Sequence, residues 1–231
     1  MKIGGLQKTT LLDYPGEIAC VVFLTGCNFR CPFCYSKELV EEDLDLLELV
    51  REEEFFSFLK KRKGQLGACV ICGGEPTLNK DLLDFSKKIK ELGFKVKLDT
   101  NGSNPEMIEK LIKEKVLDYI AMDIKAPFDK YEKATKVKVD ISKIKKSIEL
   151  IKNSGIDYEF RTTIVPTIHE LKDIYEMVNQ IAPAQKYFLQ IFRKDKELLS
   201  HELDDVLPFD EKEIKKIIEE IKSNFEICNL R

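Results

Sequence analysis

Six short apolar runs, each separated from the next by a segment with helical spacing of apolar residues, constrain the fold of this chain more than any other feature. The runs predict strands over Glu17–Leu24, Gly67–Cys72, Phe94–Leu98, Leu117–Ile124, Tyr158–Val165 and Lys186–Phe192. Helices are predicted over Leu44–Lys63, Lys80–Leu92, Pro105–Lys115, Ile141–Asn153, Leu171–Ile181 and Glu211–Phe225. Strands that alternate with helices form a parallel sheet, because each helix returns the chain to the starting edge. The pattern leaves open a doubly wound sheet or a curled, partly closed barrel.

Length and composition indicate one globular domain over residues 1–231, with 43% hydrophobic and 34% charged residues. A formal net charge of -3 argues against a protein that mainly binds nucleic acid, since such proteins are usually basic. No apolar run approaches the roughly 18 residues that span a bilayer, and the N-terminus lacks the apolar core of a signal peptide. We therefore expect a cytoplasmic protein with no membrane and no nucleic-acid partner.

Polar residues cluster at or just after the end of every predicted strand. They are Thr25 to Cys27, Gly73 to Thr77, Asp99 to Gly102, Asp123 with Lys125, Arg161 with Thr163, and Gln190 with Arg193. In parallel α/β folds the carboxyl ends of the strands carry the functional site. No GxGxxG follows the first strand, which argues against a dinucleotide site. The sequence therefore predicts one shared site of another kind at this edge of the sheet.

A cysteine triplet, Cys27, Cys31 and Cys34, is the sharpest chemical signal. A structural zinc site normally takes four protein ligands, and no further Cys or His follows at short spacing. Three thiolates can instead hold three irons of a [4Fe–4S] cluster and leave the fourth iron open to another ligand. Cys69 and Cys72 lie three apart in a predicted strand, so we expect them on opposite faces. We expect packing roles for Cys20 and Cys228.

The triplet after the first strand, followed by Gly-Gly-Glu-Pro after the second, resembles the radical S-adenosylmethionine (SAM) superfamily. The stretch from Lys8 to Cys34 resembles the start of glycyl-radical-enzyme activating enzymes, of the anaerobic ribonucleoside-triphosphate reductase and pyruvate formate-lyase types. Further matches follow in the family's order: GGEPT from Gly73, LDTNG from Leu98, MDIKAP from Met122 and RTTIVP from Arg161. The resemblance implies an open, partial (β/α)6 TIM-like barrel of parallel strands with outer helices.

The resemblance also implies one [4Fe–4S] cluster on the triplet, with SAM chelating the open iron. SAM would be bound by Gly73, Gly74, Glu75, Pro76, Asp99, Thr100, Asn101, Asp123, Lys125 and Arg161. Two neighbouring carboxylates, Asp99 and Asp123, call for a cation between them, either Lys125 or a monovalent metal ion. No residue is expected to act as an acid or base, because the chemistry takes place at the cluster and SAM.

The activity implied by the resemblance is reductive cleavage of SAM, fed by an external one-electron donor of flavodoxin or ferredoxin type. The resulting 5′-deoxyadenosyl radical would abstract a hydrogen atom from a glycine of a partner enzyme, with anaerobic ribonucleotide reductase as the expected partner. Two alternatives stay open at this point. One is a radical SAM enzyme that acts on a small molecule or nucleoside, and the other is a non-enzymatic zinc or iron–sulfur binding module.

Overall fold

The computed structural model describes residues 1–41, 49–193 and 197–231, and within them one eight-stranded sheet in the order β1 to β8. The strands are β1 Ile3–Thr10, β2 Ala19–Leu24, β3 Ala68–Gly73, β4 Lys95–Thr100, β5 Tyr119–Asp123, β6 Asp157–Ile164, β7 Ala184–Ile191 and β8 Phe225–Leu230. The α-helices are α1 Lys37–Glu41, α2 Glu52–Lys61, α3 Leu82–Glu91, α4 Pro105–Lys113, α5 Tyr131–Thr135, α6 Ile141–Lys152, α7 Lys172–Ile181 and α8 Glu211–Ile221.

The predicted fold class is confirmed, and two edge strands add to it. The six predicted strands are β2 to β7, and each pairs in parallel with the next. β1 pairs antiparallel with β2, whereas β8 extends the parallel sheet beyond β7. Within the described chain β1 and β8 do not pair with each other, so the sheet stays open.

Two boundaries differ from the predicted ones for local reasons. The last helix ends at Ile221 rather than Phe225, because a 3-10 turn over Lys222–Asn224 follows and Phe225 begins β8. The first predicted helix, Leu44–Lys63, is observed as α2 from Glu52, and its positions 44–48 lie outside the described residues.

Side-chain alternation along the strands separates two interiors. Outward-facing residues such as Cys20, Ile71 and Leu98 pack against the helices in the main core. On the other face of β2 and β3, Val21 and Val70 join Ala19, Ala68, Tyr14 and Tyr119 in a second, smaller apolar cluster. Since side chains alternate across a strand, this cluster lies on the concave side of the curled sheet.

On the concave side of the sheet, charged side chains appear from β4 onward. Lys97, Glu159 and Arg161 alternate with outward-facing apolar residues, and Lys97 and Glu159 are almost fully buried. Buried charges are tolerated only when paired, and the Lys97 and Arg161 cations lie 4.0 and 3.9 Å from the Glu159 carboxylate. The sheet therefore presents an apolar half and a charged half to its interior.

A search of the described helices for one long and apolar enough to cross a membrane finds none.

Candidate active site

A cavity of about 400 Å³ lies at the carboxyl ends of the parallel strands. Its walls include most of the residues predicted from the sequence: Cys27, Cys31, Cys34, Gly73, Gly74, Asp99, Thr100, Asn101, Asp123, Lys125 and Arg161. Thr163, Gln190 and Arg193 also line it. The polar strand ends thus meet in one place, as expected for a parallel α/β fold. Glu75 and Pro76 are the predicted residues that do not line this cavity.

The loop that carries the three cysteines is held by hydrogen bonds to several distant segments. Its Gly26 N–H donates to the Leu39 carbonyl at 2.7 Å, and its Arg30 N–H donates to the Thr135 carbonyl at 2.9 Å. The Cys34 carbonyl accepts from the Leu199 N–H at 3.0 Å. Residues 26–34, which we call the cysteine loop, are therefore positioned before any ligand binds.

The donor set of the cysteine loop fits an iron–sulfur cluster. All three thiols border the same cavity, and burial raises the pKa of Cys27 to about 11 and that of Cys31 to about 12. Burial also raises the pKa of Cys34. Buried thiols of this kind become thiolates when a metal binds them. Among the described residues, no three His, Cys, Asp or Glu side chains converge on a single metal ion. A cluster needs no such convergence, because each thiolate binds a different iron.

Cys72 is a fourth cysteine on the cavity wall. The charged side chains that act on its thiol are Asp99, Arg161 and Asp123. The thiols of Cys27 and Cys31 are both affected by Cys34 and Lys125 instead, although Asp123 also acts on Cys31. Cys69 is fully buried in the main core, so Cys69 and Cys72 do lie on opposite faces. Cys20 and Cys228 are buried in the main core, as expected.

The glycine pair after β3 is required by the cysteine loop. A Cβ atom on Gly73, whose φ is +121°, would lie 2.2 Å from the Leu24 carbonyl oxygen. On Gly74 it would lie 2.0 Å from the Gly26 carbonyl oxygen. The Glu75 N–H donates to that Gly26 carbonyl at 2.8 Å. These two glycines, predicted to bind SAM, thus line the cavity and also let the backbone pack closely against the neighbouring loop.

The Glu75 carboxylate is directed into the protein. It is 1% exposed and accepts hydrogen bonds from Thr77, Thr100 and Asn101, the last through the backbone N–H at 2.6 Å. The contact with SAM that the resemblance implies for Glu75 would require this buried carboxylate to become accessible from the cavity. In the structure Glu75 joins the loops after β3 and β4.

Asn101 contacts the cysteine loop. Its Nδ2 donates to the Asn28 Oδ1 at 3.0 Å and lies 4.0 Å from the Cys27 sulfur. A sulfur that accepts N–H bonds has its charge stabilised, and such bonds tune the potential of an iron–sulfur cluster. The side chain predicted to contact SAM thus reaches Cys27, one of the three predicted cluster ligands.

Arg161 lies between Asp99 and Asp123. Its guanidinium donates from Nη1 to Asp99 and from Nε to Asp123, both at 2.9 Å. The Lys125 Nζ also donates to Asp123, at 3.0 Å. Burial would raise the pKa of Asp123, but Arg161 and Lys125 outweigh burial and hold that pKa at about 2. The cation that the sequence required between the two carboxylates is therefore present as the Arg161 side chain.

The backbone of Lys125 is fixed on both sides by buried residues. Its N–H donates to the Tyr131 hydroxyl at 3.3 Å, and its carbonyl lies 2.8 Å from the His169 Nε2. The Val165 N–H donates to His169 Nδ1, so Nε2 carries the proton and donates to Lys125. Burial lowers the pKa of His169, which favours this neutral form. His169 was not predicted at the site, since it follows β6 by several residues and no local motif marks it.

Arg231 was also missed by the sequence analysis. It follows β8, lines the cavity, and donates to the buried Glu159 carboxylate at 2.8 and 3.0 Å. Its guanidinium carbon lies 3.5 Å from the centre of the Phe188 ring. Only recognition of β8 as a strand would have brought this residue to the site.

Comparison with protein families and curated relatives gives consistent results. The Radical SAM superfamily matches residues 21–178. A Methanocaldococcus jannaschii protein named "Putative glycyl-radical enzyme activating enzyme" is 37% identical over 198 residues, which are 82% of this chain and 79% of the relative. A pyruvate formate-lyase-activating enzyme of Listeria monocytogenes is 29% identical over 140 residues, 54% of this chain and 53% of that protein.

Solved structures share the fold. Streptococcus suis SuiB in complex with SAM has a TM-score of 0.66 and 14% identity, over 90% of this chain and 51% of SuiB. A second SuiB structure gives the same TM-score at 15% identity, over 90% of this chain and 48% of SuiB. The chain therefore spans about half the length of SuiB, and the likeness at this identity concerns the fold alone.

Proposed function

Because this chain belongs to the radical SAM superfamily, we propose that it is an activating enzyme that generates a glycyl radical on a partner enzyme. The observation that carries the proposal is the cavity in which the three cysteines face Lys125 and Arg161. The proposal is also supported by the sequence similarity to a relative that is named as a glycyl-radical enzyme activating enzyme. Anaerobic ribonucleotide reductase is the partner proposed from the sequence.

In this proposal Cys27, Cys31 and Cys34 hold a [4Fe–4S] cluster, and SAM binds beside it. When bound, the two groups supply a 5′-deoxyadenosyl radical through one-electron cleavage of SAM. An external donor of flavodoxin or ferredoxin type provides the electron. The free cysteines of the chain suit the reducing cytoplasm as the compartment in which this takes place.

The residues of this chain would bind and orient SAM. Lys125 and Arg161 are cationic groups on the cavity wall, suited to a carboxylate. Asp99 and Asp123 are the anionic groups suited to the positive parts of SAM. Glu75 and His169 would keep the surrounding loops and the Lys125 backbone in place. Thr163 on β6 and Gln190 on β7 would face the substrate, and the Thr163 hydroxyl donates a hydrogen bond to Gln190 Oε1 at 3.4 Å.

The proposed monovalent cation near Asp99 and Asp123 would have to share this space with the Arg161 guanidinium. Exhaustive exchange of alkali ions for a bulky organic cation tests it. A rate of SAM cleavage that falls on exchange and returns with potassium or sodium supports a bound ion. An unchanged rate leaves Arg161 as the sole cation between the carboxylates.

Anaerobic reconstitution with iron, sulfide, SAM and a reductant, in the presence of anaerobic ribonucleotide reductase, tests the proposed function. Electron paramagnetic resonance should show a glycyl radical on the reductase, and a reductase whose radical glycine is replaced by alanine should show none. Release of 5′-deoxyadenosine without a glycyl radical on any candidate partner would favour a small-molecule substrate. A zinc-loaded protein that releases no 5′-deoxyadenosine would indicate the binding module.

A further inference from the structure

Residues 133–146 form the most lysine-rich surface segment near the cysteine loop. Within these fourteen residues the chain has six lysines and a single acidic residue, Asp140. The six lysines, all exposed, are Lys133, Lys136, Lys138, Lys143, Lys145 and Lys146. Asp140 is engaged as the N-cap of α6, where its carboxylate accepts from the Ser142 N–H at 3.0 Å. The segment therefore presents a strongly positive surface on a chain whose net charge is negative.

Half of these lysines have local partners. Lys136 pairs with Glu202 at 3.0 Å and Lys146 with Glu106 at 3.8 Å, while Lys145 lies 4.9 Å from the centre of the Phe128 ring. Lys133, Lys138 and Lys143 have no carboxylate within 4.0 Å among the residues that the structure describes. Their charges are thus available to a partner.

A direct hydrogen bond joins this segment to the cysteine loop. The Arg30 N–H donates to the Thr135 carbonyl at 2.9 Å, and the exposed Arg30 side chain donates to the Cys27 and Phe29 carbonyls at 2.6 and 2.8 Å. No residue of segment 133–146 lines the cavity, although three cysteines of the loop do. The segment therefore adjoins the cysteine loop at a place distinct from the cavity.

We infer that Arg30, Lys133, Lys136, Lys138 and Lys143, here called the lysine face, dock an acidic one-electron carrier protein. The inference rests on the proposed function, which requires an electron from outside. One electron leaves the reduced carrier and enters the cluster beside Cys27. The carrier is oxidised, the cluster is reduced, and no bond or proton is exchanged. Opposite charges steer such encounters and raise the association rate.

The location has a functional consequence. A glycine of the partner enzyme must reach the cavity, whereas a carrier on the lysine face approaches the same cysteine loop without entering it. The two protein partners then do not compete for one surface. The complementarity with an acidic carrier comes from the local positive charge of this segment, since the net charge of the whole chain is -3.

The test replaces Lys133, Lys138 and Lys143 together by Glu. A control variant replaces Lys60, Lys61 and Lys216 by Glu, which changes the net charge equally on helices α2 and α8, away from the cavity walls. Stopped-flow absorbance measures reduction of the reconstituted protein by a photoreduced bacterial flavodoxin at low ionic strength. Calorimetry measures the affinity of oxidised flavodoxin for the same proteins, independently of turnover.

We expect flavodoxin-driven reduction to slow by about tenfold or more in the lysine-face variant, with a matching loss of affinity. In the control variant the reduction rate and the affinity for flavodoxin should stay within about twofold of the unsubstituted protein. Added salt should reduce the difference in rate between the two variants. SAM cleavage driven by dithionite, which needs no docked protein, should be equal in all of them.

Equal flavodoxin rates and affinities in the two variants would overturn the inference. So would a lysine-face variant that is slow only in forming the glycyl radical under dithionite, since the face would then bind the substrate enzyme. If the unsubstituted protein fails to cleave SAM with dithionite, the proposed function fails by itself, and flavodoxin affinity still tests the lysine face.

Discussion

Arg161 and Asp123 occupy paired positions on β6 and β5, where the guanidinium Nε donates to the carboxylate at 2.9 Å. The same guanidinium reaches Asp99 on β4, so one cation joins three adjacent strands. Arg161 is 14% exposed and Asp99 11% exposed, which places the group largely out of water. Without Arg161, Asp99 would keep Lys97 at 3.3 Å and Asp123 would keep Lys125 at 3.0 Å, but each carboxylate would lose a hydrogen-bonded cation.

Replacement of Arg161 by Gln should therefore lower the free energy of unfolding by about 2 kcal/mol, because hydrogen bonds between charged groups are lost. Chemical denaturation of the protein without cofactor, followed by circular dichroism, measures this. Replacement of Arg51, which pairs with Glu54 at the surface, serves as the control and should leave the unfolding midpoint unchanged. Similar midpoints for the two variants would show that Arg161 does not stabilise the two carboxylates.

The two classes of cavity cysteine should respond differently to substitution. Cys31→Ser should prevent full incorporation of iron and sulfide, because it removes one of three proposed cluster ligands. Cys72→Ser should retain both at the level of the unsubstituted protein, since its thiol lies among Asp99, Arg161 and Asp123. Metal and sulfide analysis after anaerobic reconstitution measures the difference. Loss of iron in the Cys72 variant would instead make that residue a fourth ligand.

The neutral His169 should make stability depend on pH. Burial lowers its pKa below the ordinary 6.5, so the unfolded chain takes up a proton at a higher pH than the folded protein. The resulting stability is complete above about pH 6.5 and is lost as the pH falls through the lowered pKa of the folded state. Unfolding free energies measured between pH 5 and pH 8 should show this decline.

The matched variant His169→Gln cannot take up that proton, so its unfolding free energy should lack this part of the decline. It should also be less stable at pH 8 by about 1–3 kcal/mol, because the bonds to Val165 and Lys125 are altered. His201→Gln, at an exposed turn, should keep the slope of the unsubstituted protein. If the unfolding free energy of the His169 variant depended on pH as that of the unsubstituted protein does, the lowered pKa of His169 would be contradicted.

Gly74→Ala should disrupt the site more than the overall fold. The new Cβ would lie 2.0 Å from the Gly26 carbonyl oxygen, so the loop after β3 would have to move away from the cysteine loop. We expect iron content after reconstitution to fall by at least half. Gly155→Ala is the control, since its Cβ would meet no atom within 4 Å, although its φ of +72° costs about 1–2 kcal/mol. Equal iron content in the two variants would show that close packing of the loop after β3 against the cysteine loop is not needed for iron binding.

The fold and the position of the site followed from local patterns in the sequence. Apolar runs of five to eight residues identified the inner strands, and the rule that parallel strands converge at their carboxyl ends brought Asp99, Asp123 and Arg161 together. β1 escaped notice because its sequence, IGGLQKTT, has two glycines and a polar end. β8 escaped because only Phe225 and Cys228 of its residues are buried.

The detailed roles of side chains were less predictable, because they depend on partners far away in the sequence. Glu75 accepts from a backbone N–H that lies 26 positions later, and His169 contacts a carbonyl 44 positions earlier. Neither contact has a spacing rule comparable to helical or strand periodicity. The sequence alone could not show that Arg161 is the cation between the carboxylates, because this depends on the register in which β5 pairs with β6.

The contact between Gly74 and the Gly26 carbonyl has a consequence for protein engineering. The two loops meet backbone to backbone, with no side chain between them to absorb a change in either one. Transplanting the cysteine loop alone into another barrel would leave it without the loop after β3 that packs against it. A working graft would have to carry both segments, together with the two strands that set their separation.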